Sequence, residues 1–314
     1  MKRILLFTLA ASVLFSCSEE EKAPVNPDTV IKGKITNADG NTAWIETFKN
    51  ERTQATLNAN GEFEIKIALT QPGCFDLVNG KARTYLCLAP GDTVNVTFDA
   101  KDIDKTVKYE GKDAAFLNYL ANKQRAVIEL MTGEYDSLYM LSADTFLLTA
   151  ETLSSKLKAS YDAIKNDTNI DKTILSWEEK ALGYDKMALI LSYPKNYKMM
   201  KMIDSVPGLD KIVNATKDLA LNDGANLQLI SYRNALNSYI ELNSEKELAA
   251  DTAAVKDTKK ALWNAIEKNV TDAAVKDYLE FNHVRLNYGL DAASEAKDKL
   301  KASTKDTVYL KQLK

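Results

Sequence analysis

The hydrophobic periodicity of the chain changes near Gly111, and this change constrains the fold more than any other feature of the sequence. Ahead of it, apolar and polar residues alternate, for example over residues 31–35 and 94–98. Beyond it, residues recur at helical spacing, as in the set Phe116, Tyr119, Leu120, Lys123 and Val127. A period of two predicts half-buried strands, and a period near 3.6 predicts amphipathic helices. The sequence therefore predicts strands first and helices afterwards.

The strand region contains dipeptides that favour tight turns. Asp39-Gly40, Asn60-Gly61 and Asn79-Gly80 each stand between strand-like segments. Such pairs are typical of β-hairpins because glycine accepts a positive φ. Short strands joined in this way predict a small antiparallel β-sandwich over residues 28–110. An all-α helical bundle is predicted for residues 111–314, so the fold class is α+β, with two domains.

Amphipathic segments predict the helices of the bundle, at Leu153 to Ile164, Ile174 to Leu191, Leu227 to Leu242, Ala254 to Ile266 and Ala273 to Leu286. Pro194 and the pair Pro207-Gly208 are expected to mark helix ends, because proline lacks the amide hydrogen that a helix interior needs. Glu178-Glu179 falls within the second segment. For charges in such a pattern, a solvated helix face is the ordinary interpretation.

The first 16 residues have the pattern of an export signal. Lys2 and Arg3 precede an apolar stretch, and Leu14-Phe15-Ser16 stands directly before Cys17. A basic start, a short apolar run and a small residue before the cut are the marks of a secretory signal. The four residues from Leu14 to Cys17 resemble the lipobox of bacterial lipoproteins, which implies acylation of Cys17 and a lipid anchor in the membrane. The alternative is a plain signal peptide with an incidental cysteine.

Residues 17–27 are predicted to be a disordered tether, because acids and prolines dominate them and apolar residues are few. Ser18-Glu19-Glu20-Glu21-Lys22 resembles the acidic tag that directs lipoproteins of Bacteroidota to the outer face of the outer membrane. The expected location is therefore the outer membrane, with the chain exposed at the cell surface or otherwise on the periplasmic side.

Two parts of the chain carry a family resemblance. The segment Leu88 to Lys123 contains a PGD turn, a Y-x-G step and an NYL helix, and SYPKNY and SYRNALNSYIEL follow later. These motifs resemble the N-terminal β-domain and helical middle region of the TlpA-like thiol–disulfide oxidoreductase lipoproteins of Bacteroidota. In that family the helical region leads to a thioredoxin-fold domain with a Trp-Cys-x-x-Cys motif.

The cysteines of this chain depart from the family pattern. They are Cys17, Cys74 and Cys87, so the sequence contains no Cys-x-x-Cys pair, and it stops at Lys314, where the thioredoxin domain would begin. Exchange of the family's type needs an attacking thiolate and a resolving thiol. The expectation is therefore a protein that is not an enzyme.

Cys74 and Cys87 stand on the two arms of the predicted hairpin around Asn79-Gly80. Pairing Val78 with Arg83 places the two cysteines directly opposite each other. Three states remain open for them: a structural disulfide, two buried free thiols, or a strained redox-active pair.

The sequence lacks the residues that a metal site or a phosphate-binding site needs. His283 is the single histidine, and Glu280 and Asp277 at i−3 and i−6 do not complete a metal set. A histidine that is satisfied within its helix or at the surface is the expected role. We predict no metal and no cofactor, and no phosphate-binding glycine loop is present. The net charge of −3 has both signs interspersed, which argues against a nucleic-acid partner.

A soft aromatic segment is the candidate binding surface. Tyr193, Tyr197, Met199 and Met200 lie close together near the predicted helix break at Pro194. Surfaces of this composition suit a peptide or protein partner. The alternative is that these side chains belong to the core of the bundle.

The functional hypothesis is a non-catalytic outer-membrane lipoprotein that acts as a binding module at the cell envelope, with a protein, peptide or glycan ligand. One alternative is a scaffold related to the oxidoreductases, which docks a separate thioredoxin-like redox partner. Another is that the sequence is the front part of a complete oxidoreductase.

Overall fold

The computed structural model describes residues 28–133, 138–252 and 255–313. The predicted signal segment 1–16, the tether 17–27 and Cys17 lie outside these residues.

The strands of the described chain form two four-stranded sheets. Their bounds are β1 (Asp28–Thr36), β2 (Thr42–Glu46), β3 (Arg52–Thr56), β4 (Glu62–Ala68), β5 (Gly73–Asn79), β6 (Ala82–Leu88), β7 (Thr93–Asp99) and β8 (Lys108–Gly111). The first sheet has the order β4-β1-β7-β8, and the second sheet has the order β3-β2-β5-β6. The structure confirms an α+β chain that begins with a β-sandwich.

One strand pair differs from the predicted antiparallel pattern. β1 runs parallel to β7, with Val30 opposite Thr93 and Thr36 opposite Asp99, whereas β1 is antiparallel to β4. A parallel pair requires a connection that crosses over. Here the connection between β1 and β7 passes through the whole of the second sheet.

Two of the three predicted hairpins are wrong. The turn at Asp39-Gly40 joins β1 to β2, and the turn at Asn60-Gly61 joins β3 to β4, but each of these pairs is divided between the two sheets. Gly40 and Gly61 do adopt positive φ angles of 82° and 76°. The dipeptides therefore form tight turns, and the chain uses these turns to pass from one sheet to the other.

The third hairpin is confirmed in its register. β5 and β6 are joined at Gly80, and Val78 lies opposite Arg83 while Cys74 lies opposite Cys87. β6, at the edge of the second sheet, packs against the helical part of the chain.

One short helix precedes the last strand of the sandwich, and the other helices follow that strand. Their bounds are α1 (Ile103–Thr106), α2 (Ala114–Gly133), α3 (Ala143–Asp162), α4 (Lys172–Lys201), α5 (Leu209–Ala215), a 3₁₀ turn (Gly224–Gln228), α6 (Ile230–Ala250), α7 (Thr258–Asn269), α8 (Ala273–Asn287), α9 (Glu295–Ser303) and α10 (Thr307–Gln312). Each predicted helical segment overlaps one of α3, α4, α6, α7 and α8. Within the described residues, no helix combines the length and the apolar character needed to cross a bilayer.

Pro194 lies inside α4, so its predicted role as a helix end is wrong. The ring is buried, and the neighbouring Tyr193 donates a hydrogen bond to the carbonyl oxygen of Leu141 at 2.7 Å. The hydroxyl of Ser192 also donates to the carbonyl oxygen of Leu189 in the turn that precedes the proline. The burial of Tyr193 and Pro194 and these two hydrogen bonds offset the missing donor of the proline, and the helix continues to Lys201. Gly208, by contrast, caps the start of α5 as expected, with a φ of 74°.

The largest hydrophobic cluster spans the sandwich and the first helices. It combines Ile31 and Val96 of the first sheet and Leu77 of the second sheet with Phe116 of α2 and Ile174 of α4. The secondary structure changes at Gly111, where the predicted domain boundary lies, but the core does not divide there. The assignment of residues 28–110 and 111–314 to separate domains stays a prediction.

Candidate functional site

A cavity of about 340 Å³ lies between the second sheet and the helices. Asp76 of β5, Tyr85 of β6, Phe116 of α2, Trp177 of α4 and Ser231 near the start of α6 contribute to its walls. The walls are mainly apolar and aromatic, with a few polar groups that converge on the interior. Ligand sites typically combine this size, this composition and a small number of placed polar groups.

A buried cluster of charged side chains forms the helical side of the cavity. The ammonium of Lys123 on α2 donates to Oε1 of Glu178 at 2.7 Å and to Oδ2 of Asp185 at 2.9 Å, both on α4. The hydroxyl of Tyr119 donates to the same Oε1 at 2.7 Å. Glu178 is 5 % exposed and Lys123 is 14 % exposed, so water screens this pair weakly.

The pKa values of the cluster show how strongly its members are coupled. Burial raises the pKa of the Glu178 carboxyl, although Lys123 and the hydroxyl of Tyr119 oppose the rise. Burial alone would lower the pKa of Lys123, but the charges of Asp185 and Glu178 outweigh that effect and raise it. Lys123 therefore stays charged, while the Glu178 carboxylate is incompletely compensated.

A second charged group lies on the sheet side of the cavity. Arg83 donates from Nη1 to Oδ2 of Asp76 at 2.7 Å and from Nη2 to Oε2 of Glu46 at 3.2 Å. Burial raises the pKa of Asp76, and the positive charges of Arg83 and Arg233 oppose this rise. Here too one cation in the cavity wall is shared by two carboxylates.

Cys74 and Cys87 form a disulfide between β5 and β6, with their Cα atoms 4.0 Å apart. Of the states left open by the sequence, the structure contains the disulfide. Both cysteines are buried, and Cys87 contributes to the cavity wall. The bond fixes the edge of the second sheet against which α2 packs.

The aromatic segment predicted as a binding surface is divided between core and surface. Tyr193 is fully buried and lies 4.4 Å, centroid to centroid, from Phe146. Tyr197 and Met200 pack against the same cluster, and Met199 is the member of the four that is exposed. For Tyr193 the alternative role in the core is correct, because its side chain has no contact with solvent.

The interpretation of Glu178-Glu179 as a solvated face is correct for Glu179 and wrong for Glu178. Neighbouring residues on a helix point about 100° apart, so one glutamate can be buried while the next is exposed. The available signal was Lys123, which stands among the apolar residues of the predicted α2 stripe. A cation on a buried face needs an acidic partner, and a carboxylate on another helix supplies it.

His283 lies buried in α8 and contributes to a second cavity of about 360 Å³ between α6, α7 and α8. Burial lowers its pKa to about 4, and Nδ2 of Asn287 donates to its Nδ1 at 3.2 Å. Arg285, Asn282 and Asn287 near this cavity already bond to one another or to their own helix. The buried Nε2 of His283 has no hydrogen-bond partner among the described residues, so the expectation of a satisfied or surface histidine is wrong.

Groups that could hold a metal were not found among the described residues, where no three His, Cys, Asp or Glu side chains converge suitably. Comparison of the chain with models of protein families, with curated proteins and with solved structures produced no match. The resemblance to the TlpA-like lipoproteins therefore stays a prediction.

Proposed function

We propose that this chain is a non-catalytic binding protein of the cell envelope, which holds a small ligand in the cavity between the second sheet and the helices. The observation that carries the proposal is the combination, in one cavity of about 340 Å³, of aromatic walls with the buried Lys123–Glu178–Asp185 cluster. Burying charges is costly unless they are paired. A buried cluster that lines a cavity is more readily explained by ligand binding than by stability.

The anchoring of the protein is part of this proposal. The sequence around Cys17 supports a lipoprotein of the outer membrane of Bacteroidota, tethered through residues 17–27. Mass spectrometry of the protein from a detergent extract of native cells should find acyl chains on Cys17. Protease treatment of whole cells should then degrade the chain if it is displayed at the surface. A mature form without lipid would contradict the anchoring proposal and leave the cavity proposal standing.

Ligand binding can be tested with the neutral, apolar dye Nile red. The protein for this test is the mature chain from residue 17 with Cys17→Ser, which avoids detergent. We expect its addition to increase the dye's fluorescence saturably. Val127 is half-buried on the cavity wall, and Val127→Trp places a larger ring in the cavity. This variant should lose most of the dye binding.

The matched control is Leu286→Trp, which adds a similar ring at a side chain that is 71 % exposed and lines the second cavity instead of this one. It should bind Nile red like the parent chain. Circular dichroism confirms that both variants are folded. Equal dye binding by the Val127→Trp and Leu286→Trp chains would refute the assignment of the cavity.

A second candidate function is docking of a thioredoxin-like partner, and the observation that favours it is the disulfide beside the cavity. In that exchange a partner dithiol is oxidised to a disulfide, and the Cys74–Cys87 bond is reduced to two thiols. Incubation with reduced thioredoxin, followed by alkylation and mass spectrometry, should then label both cysteines. Labelling no greater than in the absence of thioredoxin would exclude this candidate.

A further inference from the structure

Carboxylates outnumber cations in the walls of the first cavity. Asp76, Glu178 and Asp185 line it together with Arg83 and Lys123, and each of the two cations already bonds two carboxylates. On the sheet side, Arg233 adds a second positive charge near Asp76. On the helical side, Glu178 and Asp185 share Lys123 alone, so this part of the wall contains negative charge that its lysine does not fully balance.

Each of the three lining carboxylates also retains an oxygen for a ligand. The hydrogen bonds within the described chain reach Oε1 of Glu178, Oδ2 of Asp185 and Oδ2 of Asp76. The other oxygen of each group receives no hydrogen bond from the described residues. None of these oxygens is fully buried, so each remains accessible. These oxygens can accept hydrogen bonds from a donor inside the cavity.

The rest of the wall determines what must be attached to that donor. Phe116, Leu120, Ile174 and Trp177 provide an apolar and aromatic surface. The faces of aromatic rings also attract cations. A ligand that satisfies both parts of the wall has an apolar body and a positively charged end.

We infer that the cavity selects an organic amine, in which a protonated amino group is joined to an apolar or aromatic body, and that Glu178 and Asp185 receive the ammonium. This inference rests on the proposed binding function and specifies its ligand class. The raised pKa of Glu178 is consistent with it, because an added ammonium supplies the compensation that Lys123 alone does not.

An anionic ligand is the main competitor. The N-terminus of α6 reaches the wall at Ile230 and Ser231 without a capping side chain, and the buried hydroxyl of Ser231 has no hydrogen-bond partner among the described residues. A helix N-terminus carries only about half a positive elementary charge. That partial charge is smaller than the negative charge that Glu178 and Asp185 leave after pairing with Lys123, so the amine is favoured over a carboxylate.

The test uses three probes that share a phenyl body: 2-phenylethylamine, 2-phenylethanol and 3-phenylpropionate. The affinity of each probe is measured by its displacement of Nile red from the mature Cys17→Ser chain at pH 7, where the amine is protonated and the acid is ionised. We expect the amine to bind at least about tenfold more tightly than the alcohol, which is the size of a hydrogen bond to a charged group. The carboxylate should bind most weakly.

Asp185→Asn should reduce the preference for the amine over the alcohol toward unity, with little effect on binding of the alcohol. Asp185 is partly exposed, so its replacement is compatible with folding. The matched control is Asp144→Asn, at an exposed acid on α3 outside the cavity, which should leave the preference unchanged.

The outcomes separate the two proposals. If Nile red binds and the alcohol or the carboxylate displaces it as well as the amine does, the inference about the ligand class is wrong and the binding function stands. If Nile red binds and none of the three probes displaces it, the inference is also wrong. If Nile red itself does not bind saturably, the proposed function is wrong.

Discussion

The ammonium of Lys123 lies 2.7 Å from Oε1 of Glu178 and joins α2 to α4 in the wall of the cavity. Removal of one partner of a buried ion pair leaves the other charge without compensation, at a cost of about 3–5 kcal/mol. Lys123→Met should therefore lower the free energy of unfolding by about this amount. Urea denaturation monitored by circular dichroism measures it.

Two further variants distinguish this effect from a general loss of charge. Lys195→Met removes a cation from an exposed pair with Glu241, and should change the stability by less than about 1 kcal/mol. The double variant Lys123→Met with Glu178→Leu removes both buried charges and should recover most of the lost stability. If Lys123→Met and Lys195→Met were equally mild, the cluster would not be buried as described.

The disulfide predicts a loss of stability when both cysteines are replaced. The bond closes a loop with a sequence separation of 13 residues, for which the chain-entropy estimate is about 3 kcal/mol before any strain is subtracted. Cys74→Ala with Cys87→Ala should lower the melting temperature while Nile red binding is retained. Reduction of the parent chain with a phosphine is the control, because it breaks the bond without changing the side-chain volume. Rapid alkylation of both cysteines in the native, unreduced protein would show that no bond exists.

Two glycines predict opposite responses to the same substitution. A Cβ atom on Gly33 of β1 would lie 2.7 Å from the carbonyl oxygen of Val96 and 2.6 Å from the ring of Phe63, so Gly33→Ala should destabilise the sandwich by more than about 2 kcal/mol. Gly183 lies exposed inside α4, where a methyl group would meet no atom within 4 Å beyond the adjoining helix backbone. Gly183→Ala should therefore add about 1 kcal/mol through helix propensity. Thermal denaturation of the two variants measures both effects. A tolerated Gly33→Ala would contradict the close contact between β1, β4 and β7.

Asp113 predicts a specific dependence of stability on pH. Burial, together with the neighbouring Asp92 carboxylate, raises its pKa to about 7, while Lys112 opposes the rise and Asp171 adds slightly to it. Between about pH 4 and pH 7 the folded chain retains a proton that the unfolded chain has released. The free energy of unfolding should therefore fall as the pH rises through this range, by at most about 1.4 kcal/mol per pH unit from this group.

Asp113→Asn removes the titration and should flatten this part of the stability profile. Asp204→Asn, at an exposed residue between α4 and α5, is the matched control and should keep the parent's slope. Denaturation midpoints at several pH values between about 4 and 8 compare the three chains. Parallel profiles for the Asp113→Asn variant and the parent would show that Asp113 does not titrate in this range.

The sequence predicted the local features of the fold better than the features that depend on distant partners. The period of two in residues 31–35 placed Ile31 and Ile35 correctly on the buried face of β1. The register of Cys74 with Cys87 followed from a turn within the same hairpin. By contrast, the turns at Asp39-Gly40 and Asn60-Gly61 have the same composition as hairpin turns, and only the pairing of remote strands distinguishes the two uses.

The helical region shows the same limit. Pro194 was expected to end a helix because its own backbone lacks a donor, but the packing of Tyr193 and Pro194 in the core outweighs that cost. The cavity forms where β6, α2, α4 and α6 come together in the fold. The residue pattern within any one of these segments does not predict that arrangement. Lys123 was the one sign of it, since it stands as a charged residue within an otherwise apolar helix face.

The position of β1 has a consequence for the order in which the chain can fold. β1 lies in the interior of the first sheet, and its two partners, β4 and β7, follow much later in the sequence. During synthesis β1 therefore emerges without either partner, and its parallel neighbour is complete only at Asp99. By contrast, β5 and β6 are consecutive in the sequence and can pair as soon as both have been synthesised. Pairings between distant segments form slowly because a long loop must close first. The second sheet can therefore assemble when β1 has only β4 available as a partner, and until β7 is complete the other side of β1 is an open strand edge that can aggregate.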